Sequence, residues 1–133
     1  MAIAAFLLMS KSGPAAAAIL IVEDEPLVRI EMASSIKDAG FTAYEAGNAD
    51  EAIRILEQHS EIRLIFTDIH MPGSMDGLRL AHYVRGRWPP VKIIVTSGMV
   101  KVRSEDMPEG ALFVEKPYRP EHVTDRVREM VAA

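Results

Sequence analysis

The residues able to do chemistry in this chain gather at the ends of short apolar runs. Glu23, Asp24 and Glu25 follow the run 19–22, and Asp68 follows 62–67. Thr96, Ser97 and Gly98 end the run that begins at Lys92, and Glu115, Lys116 and Pro117 follow 111–114. If the first and third runs lie side by side, Glu23, Asp24 and Asp68 converge, and like charges held close do not all stay ionised without a compensating cation. An all-oxygen donor set with no nearby cysteine or histidine pair favours Mg2+, which keeps several waters and needs one or two carboxylates. A carboxylate beside Mg2+, faced by a lysine and a hydroxyl, is suited to accept a phosphoryl group, because that transfer needs alignment and charge neutralisation more than covalent help. Asp68 is then the nucleophile that forms an acyl phosphate. Mg2+ and Lys116 balance the phosphoryl oxygens, and the hydroxyl of Ser97 or Thr96 binds one of them after transfer. That hydroxyl can move only once the phosphoryl group is present, which couples chemistry to the loop after residue 97.

For these tips to meet, the runs must be strands of one parallel sheet, and the segments between them read as its helices. The run 19–22 has no polar face and belongs at the centre of a sheet covered on both sides. Val28, Met32, Ile36 and Ala39 recur at helical spacing, and Gly40 is placed to end that helix. Residues 41–46 read as a second strand. Asn48 with Glu51 nearly matches a capping box ahead of the apolar stripe Ala52, Ile53 and Leu56. After the third strand, Leu78, Ala81 and Val84 mark a third helix that must stop before Pro89-Pro90. Residues 92–96 and 111–114 give strands four and five, and Pro120 suits the first turn of a last helix running to about Val131. Between strands four and five, residues 98–110 have few apolar positions and carry Pro108, so at most a turn or two is expected around 101–106.

Composition bounds the rest. A chain of 133 residues, 49% hydrophobic and 26% charged, suits one compact domain. At this length roughly two-thirds of the unfolded surface is buried, enough for a core without staples. The absence of cysteine removes disulfide frameworks, thiolate catalysis and Cys-based metal sites. A net charge of −4 argues against a chain whose main business is neutralising nucleic-acid phosphates or an anionic membrane. The apolar stretch 3–9 superficially resembles a signal peptide, but no Lys or Arg precedes it and it is far shorter than the ~20 residues that span a bilayer. Residues 1–18 are therefore expected to be a poorly ordered extension and 19–133 the domain.

The ordered set Val22-Glu23-Asp24-Glu25, Asp68-Ile69-His70-Met71-Pro72, Met75-Asp76-Gly77-Leu78, Thr96-Ser97-Gly98 and Lys116-Pro117-Tyr118 resembles the receiver domain of bacterial two-component response regulators over about residues 19–131. The resemblance implies a flavodoxin-like, doubly wound α/β fold with a five-stranded parallel sheet in the order 2-1-3-4-5. The family's fourth helix, between strands four and five, would here be short or degenerate. It also implies that Asp68 is the phosphoacceptor, that Asp24 is a direct Mg2+ ligand and Glu23 a water-mediated one, and that the His70 backbone carbonyl is a further ligand. Lys116 becomes the phosphate-pairing lysine, and Phe113 the aromatic that rotates when the hydroxyl moves. Register and the following small residue favour Ser97 over Thr96 as that hydroxyl, with Thr96 kept as the alternative. Gly73-Ser74 lengthens the loop after Pro72 by one residue relative to the commonest form.

The function so implied is a stand-alone phosphoacceptor in a two-component phosphorelay. It would take its phosphoryl group from a sensor histidine kinase or a histidine phosphotransfer protein and switch a protein contact. It would act in the cytoplasm as a monomer or weak dimer, with no nucleic acid or membrane partner and no catalysis beyond its own phosphorylation and dephosphorylation. Two other readings compete. An aspartyl-phosphate phosphotransferase or phosphatase would need a second acid two residues after the nucleophile, where this chain has His70. A phosphate-independent interaction module would leave the acid, hydroxyl and lysine set without a use.

Overall fold

The computed structural model describes residues 17–99 and 101–133, so the expected extension lies, but for its last two residues, outside the described residues. Ala18 is already in the first strand, one residue earlier than expected. The chain alternates β1 (Ala18–Val22), α1 (Pro26–Asp38), β2 (Thr42–Ala46), α2 (Ala49–Gln58), β3 (Ile62–Asp68), α3 (Gly77–Arg87), β4 (Lys92–Ser97), β5 (Leu112–Glu115) and α4 (Pro120–Ala132). All strand pairs are parallel and the sheet order is β2-β1-β3-β4-β5. This is the doubly wound architecture expected, with strand five shifted by one residue.

Alternation along the central strands divides the core into two layers. Ile19, Ile21, Leu64, Phe66 and Ile94 face one side, where they pack with Met32, Ala33 and Ile36 of α1 and Val123 and Val127 of α4. Leu20, Val22, Ile65, Ile93 and Val95 face the other, against Ala49, Ala52 and Leu56 of α2 and Leu80, Ala81 and Val84 of α3. All five residues of β1 are buried, and each aliphatic side chain so covered stabilises the fold by roughly 1.5–3 kcal/mol.

Helix ends follow local chemistry. The Asn48 side chain accepts from the Glu51 N–H at 2.9 Å, and the Glu51 carboxylate accepts from the Gly47 N–H at 2.7 Å, a variant of the reciprocal cap one residue further out. Asp76 caps α3 by accepting from the Arg79 N–H at 2.9 Å. Gly73, at φ +111°, takes up the extra residue of its loop, and the Ser74 hydroxyl donates to Asp50 of α2 at 2.8 Å.

Between β4 and β5 the only helical turn among the described residues is a single 3-10 turn at Ser104–Asp106. The missing helix is replaced by a strap tied to α3. The Arg85 Nε donates to the Glu109 carbonyl at 3.0 Å, and the His82 Nε2 lies 2.8 Å from the Asp106 carbonyl.

Candidate functional site

Doubly wound sheets place the carboxyl ends of their strands at one edge, and here that edge carries the acids. Asp68 is the last residue of β3, only 6% exposed, and Glu23 follows β1 at 5% exposed. Asp24, the next residue, is exposed. Carboxylate oxygens of the three lie within 4.8 Å of one another. Lys116, beyond β5, places its Nζ 3.2 Å from Glu23 Oε1 and 3.2 Å from Asp68 Oδ2. The ends of β1, β3 and β5 therefore meet, as the strand pattern requires. The acid set fits a hard divalent cation: three carboxylates in reach of one point, one open to water, against a single ammonium.

The charges perturb one another. Burial raises Glu23 above its ordinary 4.5, and Asp68 adds to this, while the Glu25 N–H and Lys116 pull it down. Burial pulls the Lys116 ammonium down, but the Asp68 and Glu23 carboxylates outweigh it and leave the lysine above its ordinary 10.5. Burial, with Glu23, Asp68 and Glu31 near, pushes the Tyr118 phenol up to about 12. Tyr118 packs edge-on against Phe66 at 5.7 Å, fixing the turn that carries the lysine.

The two hydroxyl candidates diverge. The Thr96 hydroxyl donates to the Val114 carbonyl at 2.7 Å inside the sheet. Ser97 follows on the opposite face, the face of Val95 and of half-buried Phe113, which pairs with Val95. The Ser97 Oγ accepts from the Met99 N–H at 3.2 Å. The next residue explains why a small one is needed: a Cβ on Gly98 would stand 3.2 Å from the Lys116 Cβ. His70, two residues beyond Asp68, is exposed.

Sequence reasoning names Gly77 only as part of a motif. A Cβ there would lie 1.8 Å from the Asp68 carbonyl oxygen and 2.9 Å from the Thr67 hydroxyl, while the Gly77 N–H donates to the Ile69 carbonyl at 2.8 Å. The start of α3 thus presses on the backbone of the central acid, and only glycine fits. Arg29 also goes unnoticed in the sequence, because its main partner at the site is a backbone carbonyl, that of Glu23 at 2.8 Å. Beside Lys116 opens a cavity of about 410 Å3, lined by Val28, Glu31, Met32, Gly98, Lys116 and Tyr118 among others.

The model of the response regulator receiver domain matches residues 19–128. Among proteins of similar sequence, the sensor kinase CckA of Brucella abortus is 32% identical over 119 residues, covering 86% of this chain and 12% of that protein. The nitrogen assimilation regulatory protein NtrX of Azorhizobium caulinodans is 33% identical over 118 residues, covering 84% of this chain and 26% of its own length. Among solved structures, a response regulator receiver protein from Sinorhizobium medicae superposes with a TM-score of 0.82 at 25% identity, covering 89% of this chain and 96% of that one. The response regulator protein TrrA from Thermotoga maritima, solved in complex with Mg2+ and BeF, gives 0.73 at 25% identity over 85% and 97% of the two chains.

Proposed function

The chain belongs to the response regulator receiver domain family, and from that premise we propose that Asp68 is its phosphoacceptor, charged by a phosphohistidine protein. The observation that carries this reading is the meeting of Asp68 with Glu23, Asp24 and Lys116, four groups from three distant stretches of the chain: the carboxylate oxygens lie within 4.8 Å of one another and the lysine is 3.2 Å from two of them. Attack by a carboxylate oxygen of Asp68 on phosphorus forms an acyl phosphate and breaks the phosphorus–nitrogen bond, and the released imidazole nitrogen takes a proton from solvent. Lys116, already aimed at Asp68, pairs with a phosphoryl oxygen. Asp24 and Glu23 would hold the metal, Asp24 directly and Glu23 through water, and the His70 carbonyl would add a further donor. When bound, Mg2+ neutralises the phosphoryl oxygens and the like-charged acids; the Mg2+ and BeF complex of the related TrrA supports its use here.

Ser97 takes the role of switch hydroxyl. Thr96 is engaged inside the sheet by Val114, and Ser97 shares a face with Phe113, the aromatic that answers its movement. The donor is a sensor histidine kinase or histidine phosphotransfer protein, a protein partner rather than a small phosphate ester. Exposed apolar side chains in and beside the site support a protein donor: Leu27 at 76% and Ile30 at 55% on the first turns of α1, and Met99 at 82% beyond β4. Among the described residues no helix is long and apolar enough to cross a membrane. Our reading sets the chain in the cytoplasm as a regulatory phosphoprotein, a monomer or weak dimer, whose reactions are its own phosphorylation and dephosphorylation.

The test is labelling with radioactive acetyl phosphate. Label is expected on the wild type with Mg2+, and neither on Asp68→Asn nor on the wild type in excess chelator. Full labelling of Asp68→Asn overturns the assignment.

A further inference from the structure

Two of the three acids stand on the short loop between β1 and α1, and something must hold that loop still. The Glu23 N–H is held by the Ala46 carbonyl at 3.0 Å, at the end of β2. Its carbonyl is held by Arg29, the fourth residue of α1, which reaches back so that Nη1 donates at 2.8 Å. The Arg29 Nε lies 3.3 Å from Glu45 Oε1 on β2, the edge strand. One guanidinium thus joins the acidic loop, the first helix and the sheet edge. Its planar fork, with donors at fixed angles, suits two acceptors on different elements better than an ammonium would. The turn after β2 is kept small around it: a Cβ on Gly47 would meet Arg29 Nη1 at 3.4 Å and Glu51 Oε1 at 3.1 Å.

We infer that Arg29 is a positioning residue for the divalent cation, clamping the Glu23 backbone to β2 so that Glu23 and Asp24 already converge on Asp68 before the ion arrives. The inference rests on the cation site proposed above. Arg29 touches no carboxylate of that site; it acts through the backbone of a residue that does.

Two effects of the side chain oppose each other. Its charge repels an incoming cation, and its bonds remove the ordering that the loop would otherwise undergo on binding. The charge is part-exposed, paired with Glu45 and screened by salt, so the ordering effect prevails. Removing the partner that orients a metal ligand typically lowers affinity by about 10–100-fold.

The experiment measures Mg2+ affinity directly by titration calorimetry, on the full chain and on Arg29→Met, Arg29→Lys and Glu45→Gln. Arg29→Met is expected to bind Mg2+ about tenfold more weakly. Arg29→Lys should fall between it and the wild type, because one donor survives and the fork does not. Glu45→Gln should weaken binding less than Arg29→Met does. At saturating Mg2+ the final yield of labelling from acetyl phosphate should return to the wild-type level in all three, a split that loss of fold would not produce. Unchanged or tighter Mg2+ binding in Arg29→Met, with Arg29→Lys like the wild type, overturns the inference and leaves the proposed function standing. No Mg2+ binding by the wild type overturns both.

Discussion

At the residue scale, the ionisable groups of the site pull stability in opposite directions: ionised Glu23 costs it through burial, and paired Lys116 adds to it. Folding raises Glu23 above 4.5, with burial as the first cause. A carboxyl raised in this way contributes stability that is complete below its unfolded value and is lost as pH rises through the folded one. In chelator, the midpoint of thermal unfolding should therefore lose a Glu23-dependent contribution as pH climbs from below 4.5 through the raised value, and Glu23→Gln should lack that loss. Lys116 is also raised, from 10.5, because the attraction of Asp68 and Glu23 outweighs burial. Its contribution is complete below 10.5 and disappears as pH rises through its folded value. Lys116→Met should flatten that alkaline decline; a decline of wild-type size in the variant contradicts the pairing. Much at this scale is legible in the sequence, since Asp68, Lys116 and the acids after β1 are polar residues ending apolar runs. Residue type leaves both Thr96 and Ser97 open there, and the bond of the Thr96 hydroxyl to the Val114 carbonyl, which sets the two apart, goes to backbone and so leaves no mark in the sequence. Arg29 is hidden for the same reason: a backbone carbonyl leaves no trace in residue type.

At the scale of elements, the site depends on close approach as much as on strand order. Gly77 starts α3 against the Asp68 backbone, where a Cβ would come within 1.8 Å of the carbonyl oxygen. Gly77→Ala should destabilise the fold by about 1–3 kcal/mol or more, measured by urea unfolding, and slow acetyl phosphate labelling as the acid is displaced. A fully stable and active variant contradicts that packing. The helices and strands themselves are readable from periodicity, to within a residue at most ends, because the buried faces repeat regularly. The loss of a helix between β4 and β5 is readable too, from the sparse apolar positions and Pro108 over 98–110. What replaces it is not: Arg85 and His82 reach from α3 to backbone carbonyls of Glu109 and Asp106. Arg85→Ala should speed amide hydrogen exchange over 104–111 while leaving β1 and β3 protected. Unchanged exchange there would mean that the strap is held by something else.

At the scale of the whole molecule, two core layers hold a rigid sheet whose carboxyl edge gathers the charge, and the exposed apolar groups Leu27, Ile30 and Met99 stand at or near that edge. If a protein donor docks there, Ile30→Glu should slow phosphotransfer from a phosphohistidine protein at least tenfold, about 1.4 kcal/mol, while labelling from acetyl phosphate stays near the wild-type rate. Equal slowing of both would point to damage at the site instead of at a docking surface. The central proposal is that Asp68, alone among the carboxylates of the edge, takes the phosphoryl group. The most direct measurement is reductive trapping of the acyl phosphate with borohydride after exposure to acetyl phosphate and Mg2+, followed by peptide sequencing in the mass spectrometer. The account predicts conversion of residue 68 to homoserine, dependent on Mg2+; homoserine at Glu23's neighbour Asp24 in its place, or no trapped residue, would contradict it.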